Sequence, residues 1–338
     1  MQRKPVPEEL LQFLRDYDHF HVLGHVDPDG DCIGSQIGLS LFLNRLGKST
    51  SLVSPGPFER TEVRHFSSRF ATALEAKVSD REAIAIVDCS TLDRIGPLAE
   101  QLDGRPVAVI DHHATGEIFG DVRYIDSSIP ATTLLVQAII EALDDIPSKD
   151  EAEMLFFGLA TDTGFFRFLD SQSSDVFQAA SRLVAGGASP RDTSALISSG
   201  RTFASRKLIG RLLNRATAYA EGRFILTYMT AQERLEFGKE NRDSDALYSL
   251  LLSIEGCEAI AFLREESETV CKGSLRATGE VDVGEVASHL GGGGHQKAAG
   301  FLNRDSLNAT IEKVVSLVTE RLGGHDRYPP SRSSAAQL

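Results

Sequence analysis

The chain has no long apolar run, no excess of positive charge, no cysteines at metal-binding spacing and no internal repeat. No stretch approaches the roughly 20 apolar residues of a membrane-spanning helix. Met1-Gln2-Arg3-Lys4 is not followed by the apolar core of a signal peptide. The expectation is therefore a cytoplasmic protein with no membrane partner. Cys32, Cys89, Cys257 and Cys271 are scattered and read as reduced, buried thiols. With 35 basic against 48 acidic residues the formal charge is −13. That is the wrong sign for gripping a long duplex, whose phosphates demand a basic surface. A short anionic ligand remains compatible, because bound divalent cations reverse the local sign. At 338 residues, 41% of them hydrophobic, the chain is long enough for two domains with separate cores.

What is present is acidity at particular places. Phe20 to Leu23 reads as a strand, and Gly34 with Ile33, Ile37 and Leu41 as the helix after it. Between them lies His25-Val26-Asp27-Pro28-Asp29-Gly30-Asp31. Carboxylates this close raise one another's pKa unless a cation joins them, and oxygen with imidazole suits manganese or magnesium. Taken alone, Pro28-Asp29-Gly30-Asp31 is equally ordinary turn chemistry. The pattern then recurs. Ala83 to Val87 is an apolar run ending at Asp88, and Val107 to Ile110 ends at Asp111-His112-His113. Such runs suit parallel strands covered on both faces, which bring their carboxyl ends to one edge. A helix from Asp150 to Thr161, with Asp150 as N-cap and Glu153 at the capping-box position, leads to Asp162. Cys32 and Cys89 each follow one of these aspartates and read as small residues filling tight space rather than as ligands.

The set His25-x-Asp27-x-Asp29-x-Asp31, Asp88, Asp111-His112-His113 and Asp162 resembles the DHH phosphoesterases. Gly291-Gly292-Gly293-Gly294-His295-Gln296-Lys297-Ala298-Ala299-Gly300, with Ser274-Leu275-Arg276 before it, resembles the companion DHHA1 domain. The two-domain layout is similar to the NrnA-like oligoribonucleases. The resemblance implies an α/β fold: an N-terminal DHH domain with a mainly parallel sheet flanked by helices, and a smaller α/β DHHA1 domain with a mixed sheet. It implies two divalent metal ions, manganese foremost, with magnesium or cobalt as alternatives. One ion would be held by His25, Asp29 and Asp88, the other by Asp31, Asp88, His112 and Asp162, with Asp88 as the bridge. Asp88, Asp111 and His113 are the expected catalytic residues, His113 contacting phosphate. Asp27 and Asp111 would orient the ligating histidines, although Asp27 stands where many relatives carry asparagine. Ser274, Arg276, Gly293, Gly294, His295 and His113 are the expected substrate contacts. The implied reaction is hydrolysis of short single-stranded RNA or dinucleotides, and of 3′-phosphoadenosine 5′-phosphate (pAp). A related branch cuts linear or cyclic dinucleotides such as pApA. A homodimer is compatible with the resemblance. The glycine loop argues against a manganese pyrophosphatase, and the filled metal positions against an inactive nucleotide-binding scaffold.

The expected boundaries are a catalytic domain over 1–188, a linker over 189–205, a substrate domain over 206–325 and a disordered tail over 326–338. Asp175 to Ala185 reads as a helix stopped at Gly186-Gly187, and Arg206 to Ala220 as another. Phe224 to Tyr228, Ala259 to Leu263 and Thr269 to Leu275 read as strands. Asp282 with Glu285 should cap a short helix before the glycines, and Ser306 to Leu322 should form the last one. The glycines suit either a flexible loop or a phosphate cradle, in which converging backbone N–H groups meet an anion. Arg201, Arg206, Lys207, Arg211 and Arg215 read mainly as a solvated helix face, with Lys272, Arg276 and Lys297 as nearer candidates for an anion.

Overall fold

The computed structural model describes residues 3–323 apart from 78, 103, 115, 145 and 239–242, so the expected tail lies outside the described residues. Two compact units divide between Gly200 and Arg201. No described helix is long and apolar enough to cross a membrane.

The first unit runs α1 (Glu8–Asp16), β1 (His19–Leu23), α2 (Gly30–Arg45), β2 (Ser49–Val53), β3 (Glu82–Val87), α3 (Leu92–Ile95), β4 (Val107–Asp111), β5 (Val122–Ile125), α4 (Thr133–Asp144), α5 (Lys149–Asp162), α6 (Ser174–Ala185) and α7 (Pro190–Ser198). The five strands form a wholly parallel sheet in the order β2-β1-β3-β4-β5. Phe20, Val22, Ala83, Ala85, Ala108 and Ile110 pack into the larger core, while Leu23, Ile84, Ile86, Val107 and Val109 pack into another. Both faces are thus covered, which is why the strands read as unbroken apolar runs. The chain leaves β1 towards one edge and β3 towards the other, so the sheet opens between their carboxyl ends, where doubly wound sheets bind ligands.

Two helices, α2 and α5, approach closely because glycines face each other. A Cβ on Gly34 would lie 2.6 Å from the Met154 carbonyl oxygen and 3.0 Å from Gly158 N, and one on Gly158 would lie 3.1 Å from Asp31 Cα. The cap of α5 differs from expectation. Ser148, not Asp150, caps it, with Glu151 completing the capping box. Glu151 is buried and takes Arg45 of α2 at 2.9 and 3.0 Å, a tertiary pair that selects this start over the one two residues later.

The second unit runs α8 (Phe203–Asn214), β6 (Thr217–Tyr219), β7 (Phe224–Met229), α9 (Ala231–Phe237), α10 (Ser244–Leu252), β8 (Ala259–Ser267), β9 (Val270–Ala277), α11 (Val283–His289), β10 (Gly293–His295), β11 (Ala298–Asn303) and α12 (Leu307–Arg321). Its mixed sheet has the order β10-β11-β9-β8-β7-β6, parallel only between β7 and β8. Helices α11 and α12 fill one face, and α8, α9 and α10 cover Ile225, Ile260 and Phe262 on the other. The segment 189–205 forms α7 and the first turn of α8. The helix expected to reach Ala220 ends at Asn214, because residues 217–219 pair with β7. The glycine run is no free loop: Gly293 to His295 are an edge strand. Arg206, Arg211 and Arg215 pair with Asp243, Glu236 and Glu233 respectively, as a structural helix face does.

Candidate metal centre and substrate face

Asp29, Asp31, Asp88 and Asp162 meet His25 and His112 at the opening of the parallel sheet. The β1–α2 loop is pinned by its backbone: Val26 N–H donates to the Arg94 carbonyl at 2.8 Å and Asp27 N–H to the Gly56 carbonyl at 3.0 Å. Asp29 is the N-cap of α2, its Oδ1 accepting from Cys32 N–H at 3.1 Å. Asp31 is buried in the first turn of the same helix. It accepts Thr132 N–H at 2.6 Å, Thr133 N–H at 3.0 Å and the Thr133 hydroxyl at 2.8 Å, and so anchors the start of α4. Asp88 follows β3 with φ 58°, a left-handed conformation unusual for a residue bearing Cβ and frequent where function demands it. Asp162 ends α5.

The histidines are aimed by carbonyls. His25 Nδ1–H donates to the Val26 carbonyl at 2.8 Å, and His112 Nδ1–H faces the Ile129 carbonyl at 3.3 Å. Carbonyls only accept, so each Nδ1 carries a proton and each Nε2 is turned towards carboxylates. His25 Nε2 lies 3.4 Å from Asp88 Oδ2 and 3.7 Å from Asp29 Oδ1. His112 Nε2 lies 3.6 Å from Asp88 Oδ1, 3.4 Å from Asp162 Oδ2 and 4.0 Å from Asp31 Oδ2. Asp88 thus turns one oxygen to each imidazole. These separations exceed a hydrogen bond, and buried His25 Nε2 has no hydrogen-bond partner among the described residues. Imidazole nitrogens and carboxylate oxygens arranged this way fit divalent cations.

The electrostatics point the same way. Burial, with the charges of Asp88, Asp162 and Asp29, raises the Asp31 carboxyl well above its usual range. Burial, with Asp88 and Asp29, pushes Asp162 up to about 7. Arg60, half exposed, lies 3.7 Å from Asp29. Cys32 also borders the cluster, and burial pushes its thiol up to about 11.

Asp111 faces inward rather than into the cluster. Its Oδ1 accepts His112 N–H at 2.8 Å, His113 N–H at 3.3 Å and His113 Nδ1–H at 2.7 Å. His113 therefore presents Nε2 outward, 3.3 Å from Arg94 Nη1. Asp27 is exposed and hydrogen-bonds to no histidine among the described residues, so nothing supports an orienting role for it.

In the second unit, strand register aligns the expected substrate contacts. Arg276 of β9 stands opposite Ala298 of β11, which stands opposite His295 of β10; Ser274, Gly300 and Gly293 form the next row. Directly paired residues share a face, so Ser274, Arg276, Gly293 and His295 point one way. Gly294 points the other way: with φ 147°, its Cβ would lie 2.5 Å from Ala299 Cα. A Cβ on Gly293 would meet nothing within 4 Å. The result is a floor of small residues bordered by Arg276 and His295. Arg276 is stacked on the Tyr248 ring at 4.8 Å.

Comparison with known proteins bears on both sites. Residues 19–159 match the family described as DHH family, N-terminal domain, and residues 221–323 match the DHHA1 domain. The bifunctional oligoribonuclease and PAP phosphatase NrnA of Thermus thermophilus is 30% identical, over 89% of this chain and 90% of its own length. The chain belongs to the DHH family. As a DHH protein with a DHHA1 domain it is a metal-dependent hydrolase of phosphate esters. An exopolyphosphatase-related protein from Bacteroides fragilis shares this fold, with TM-score 0.79 at 25% identity, covering 93% of this chain and 95% of that one. The cyclic-di-AMP phosphodiesterase PdeA of Listeria monocytogenes is 26% identical over 93% of this chain, which spans only 49% of that protein.

Within this DHH centre several supporting residues escape a reading by motif. Thr132 and Thr133 brace Asp88 and Asp31 from α4, and the Thr132 hydroxyl reaches Asp88 at 2.9 Å. Gln36 Nε2 donates to the Val22 and Val53 carbonyls at 2.9 and 3.0 Å, closing the ends of β1 and β2. The one available signal was Arg94, six residues after Asp88 and on the short helix that follows it.

Proposed function

We propose that this protein hydrolyses short oligoribonucleotides to mononucleotides and removes the 3′-phosphate of pAp, using two divalent cations, manganese foremost. The observation that carries the reading is Asp88, which turns one oxygen towards His25 and the other towards His112. His25, Asp29 and Asp88 would hold one cation; Asp31, Asp88, His112 and Asp162 would hold the other. When bound, the cations supply an activated water and offset charge on the phosphoryl oxygens.

The protein's own groups do the rest. The carbonyl contacts of His25 and His112 keep both Nε2 atoms available as ligands. Asp111 fixes His113 so that its Nε2, beside Arg94, meets an oxygen of the phosphate. Arg276 offers a forked guanidinium to a distal phosphate, and the floor around Gly293 leaves space for a nucleotide between it and His295.

Short RNA and pAp are preferred over cyclic dinucleotides because the resemblance to the Thermus oligoribonuclease extends over 90% of that protein. The Listeria phosphodiesterase matches over about half of its own length and supports cleavage of linear or cyclic dinucleotides as the second reading. The deciding experiment is hydrolysis with Mn2+ of pAp, an RNA dinucleotide, a long RNA oligomer, pApA and cyclic di-AMP. Fast turnover of pAp and the dinucleotide with slow attack on the long oligomer is expected. Turnover confined to pApA or cyclic di-AMP would replace this reading with the second.

A further inference from the structure

The DHH centre contains a sulfur donor that none of the ligand sets above uses. Cys32 sits in the first turn of α2, and its Sγ lies within 4.8 Å of the ligand atoms of both His25 and Asp88, which lie equally close to each other. The three residues are buried. His25 Nε2, 98% buried by residue and without a hydrogen-bond partner among the described residues, is aimed into this group. Cys89 makes the contrast: its Sγ is turned to the Thr91 carbonyl at 3.2 Å and packs in the second core. Cys32 lies in the first turn of a helix whose N-cap is Asp29, itself one of the carboxylates of the centre.

Imidazole nitrogen, carboxylate oxygen and sulfur together form a donor set unlike the rest of the centre. Manganese and magnesium favour oxygen and nitrogen, whereas thiolate selects zinc-like cations, which accept a small tetrahedral set. Asp29 Oδ1, 3.7 Å from His25 Nε2, completes four donors. We propose that the His25 position doubles as a site for a thiophilic divalent cation of the Zn2+ or Cd2+ class, held by His25, Asp88, Asp29 and Cys32. Sulfur is a ligand only for that class; with a harder cation Cys32 stays a thiol against Gln36 Oε1, 3.5 Å away. As the metal–sulfur bond forms, the thiol proton passes to solvent and no electrons are transferred. Zinc then competes with the catalytic cation at one of its two positions and inhibits.

This inference rests on the metal centre proposed above, so both are measured on the same metal-free, full-length protein. Mn2+ binding is counted by electron paramagnetic resonance, and Cd2+ is titrated while following the ultraviolet sulfur-to-cadmium charge-transfer band. The expected result is a band saturating at one equivalent, lost in Cys32→Ala and Cys32→Ser, kept in Cys89→Ala, and bleached by excess Mn2+. Bound Mn2+ with no charge-transfer band overturns the inference alone, as does a band that persists in Cys32→Ala or ignores excess Mn2+. Failure to bind Mn2+ overturns the underlying metal centre as well. Should the Cys32 variants not fold, X-ray absorption of the wild-type protein with one equivalent of Zn2+ decides. A sulfur shell at about 2.3 Å is expected, and a shell of nitrogen and oxygen only sinks the proposal.

Discussion

The metal centre of the first unit and the glycine-floored face of the second solve opposite problems. In the centre, three carboxylates are committed: Asp29 caps α2, Asp31 anchors α4, and Asp88 is braced by Thr132. On the glycine face, Gly293, Gly294 and His295 are exposed, and Arg276 is steadied by Tyr248. The first holds charges together against their repulsion and therefore must be rigid. The second is open and floored by residues with little or no side chain.

The contrast can be broken from the metal side first. Asp88→Ala removes the oxygens shared by both histidines, and kcat is expected to fall on the order of 10³-fold or more, with lower Mn2+ stoichiometry by electron paramagnetic resonance. Near-normal turnover would remove Asp88 from the centre. Arg276→Ala should raise KM for pAp by about 10- to 100-fold, the worth of a charge-assisted hydrogen bond, while Mn2+ affinity stays put. An unchanged KM would separate Arg276 from substrate.

The glycines sharpen the comparison, because neighbours 293 and 294 should behave differently. Gly294→Ala forces a Cβ onto Ala299 at a positive φ and is expected to destabilise by about 1–3 kcal/mol. Gly293→Ala places its Cβ in open space and should leave Tm within a degree or two while weakening pAp binding several-fold; equal Tm losses in both would refute the open-floor description.

The smallest effect is on pH. Metal-free Asp162 keeps its proton up to about pH 7 in the folded protein, whereas an unfolded aspartate loses it near pH 4. The folded state therefore binds more protons between those values, and its stability falls as pH rises from about 4 to 7. A cation replaces that proton, so the gain in Tm on adding Mn2+ should be larger at pH 8 than at pH 6. Equal gains would mean that Asp162 is ionised without metal.

How much of this was legible in the sequence depended on whether a feature was local. Apolar runs ending in Asp88 and Asp111 announce strands whose carboxyl ends meet, because burial on both faces leaves that signature. Ser148-x-x-Glu151 and Asp150-x-x-Glu153 both spell a capping box, and only the Arg45–Glu151 pair, far apart in sequence, chooses between them. The helical pattern after Arg206 runs on past its real end because pairing with β7 is not written in residues 215–220. Thr132, Thr133 and Gln36 support the site from elements without any motif. The placement of Cys32 depends on how α2 is turned, which spacing alone does not reveal.

Gly293 offers one more use. The four native cysteines are all buried, so Gly293→Cys would supply a solitary accessible thiol on the small-residue floor of the second unit. A small environment-sensitive fluorophore attached there would report occupancy in real time, independently of turnover, and would turn the protein into a sensor for its own ligands.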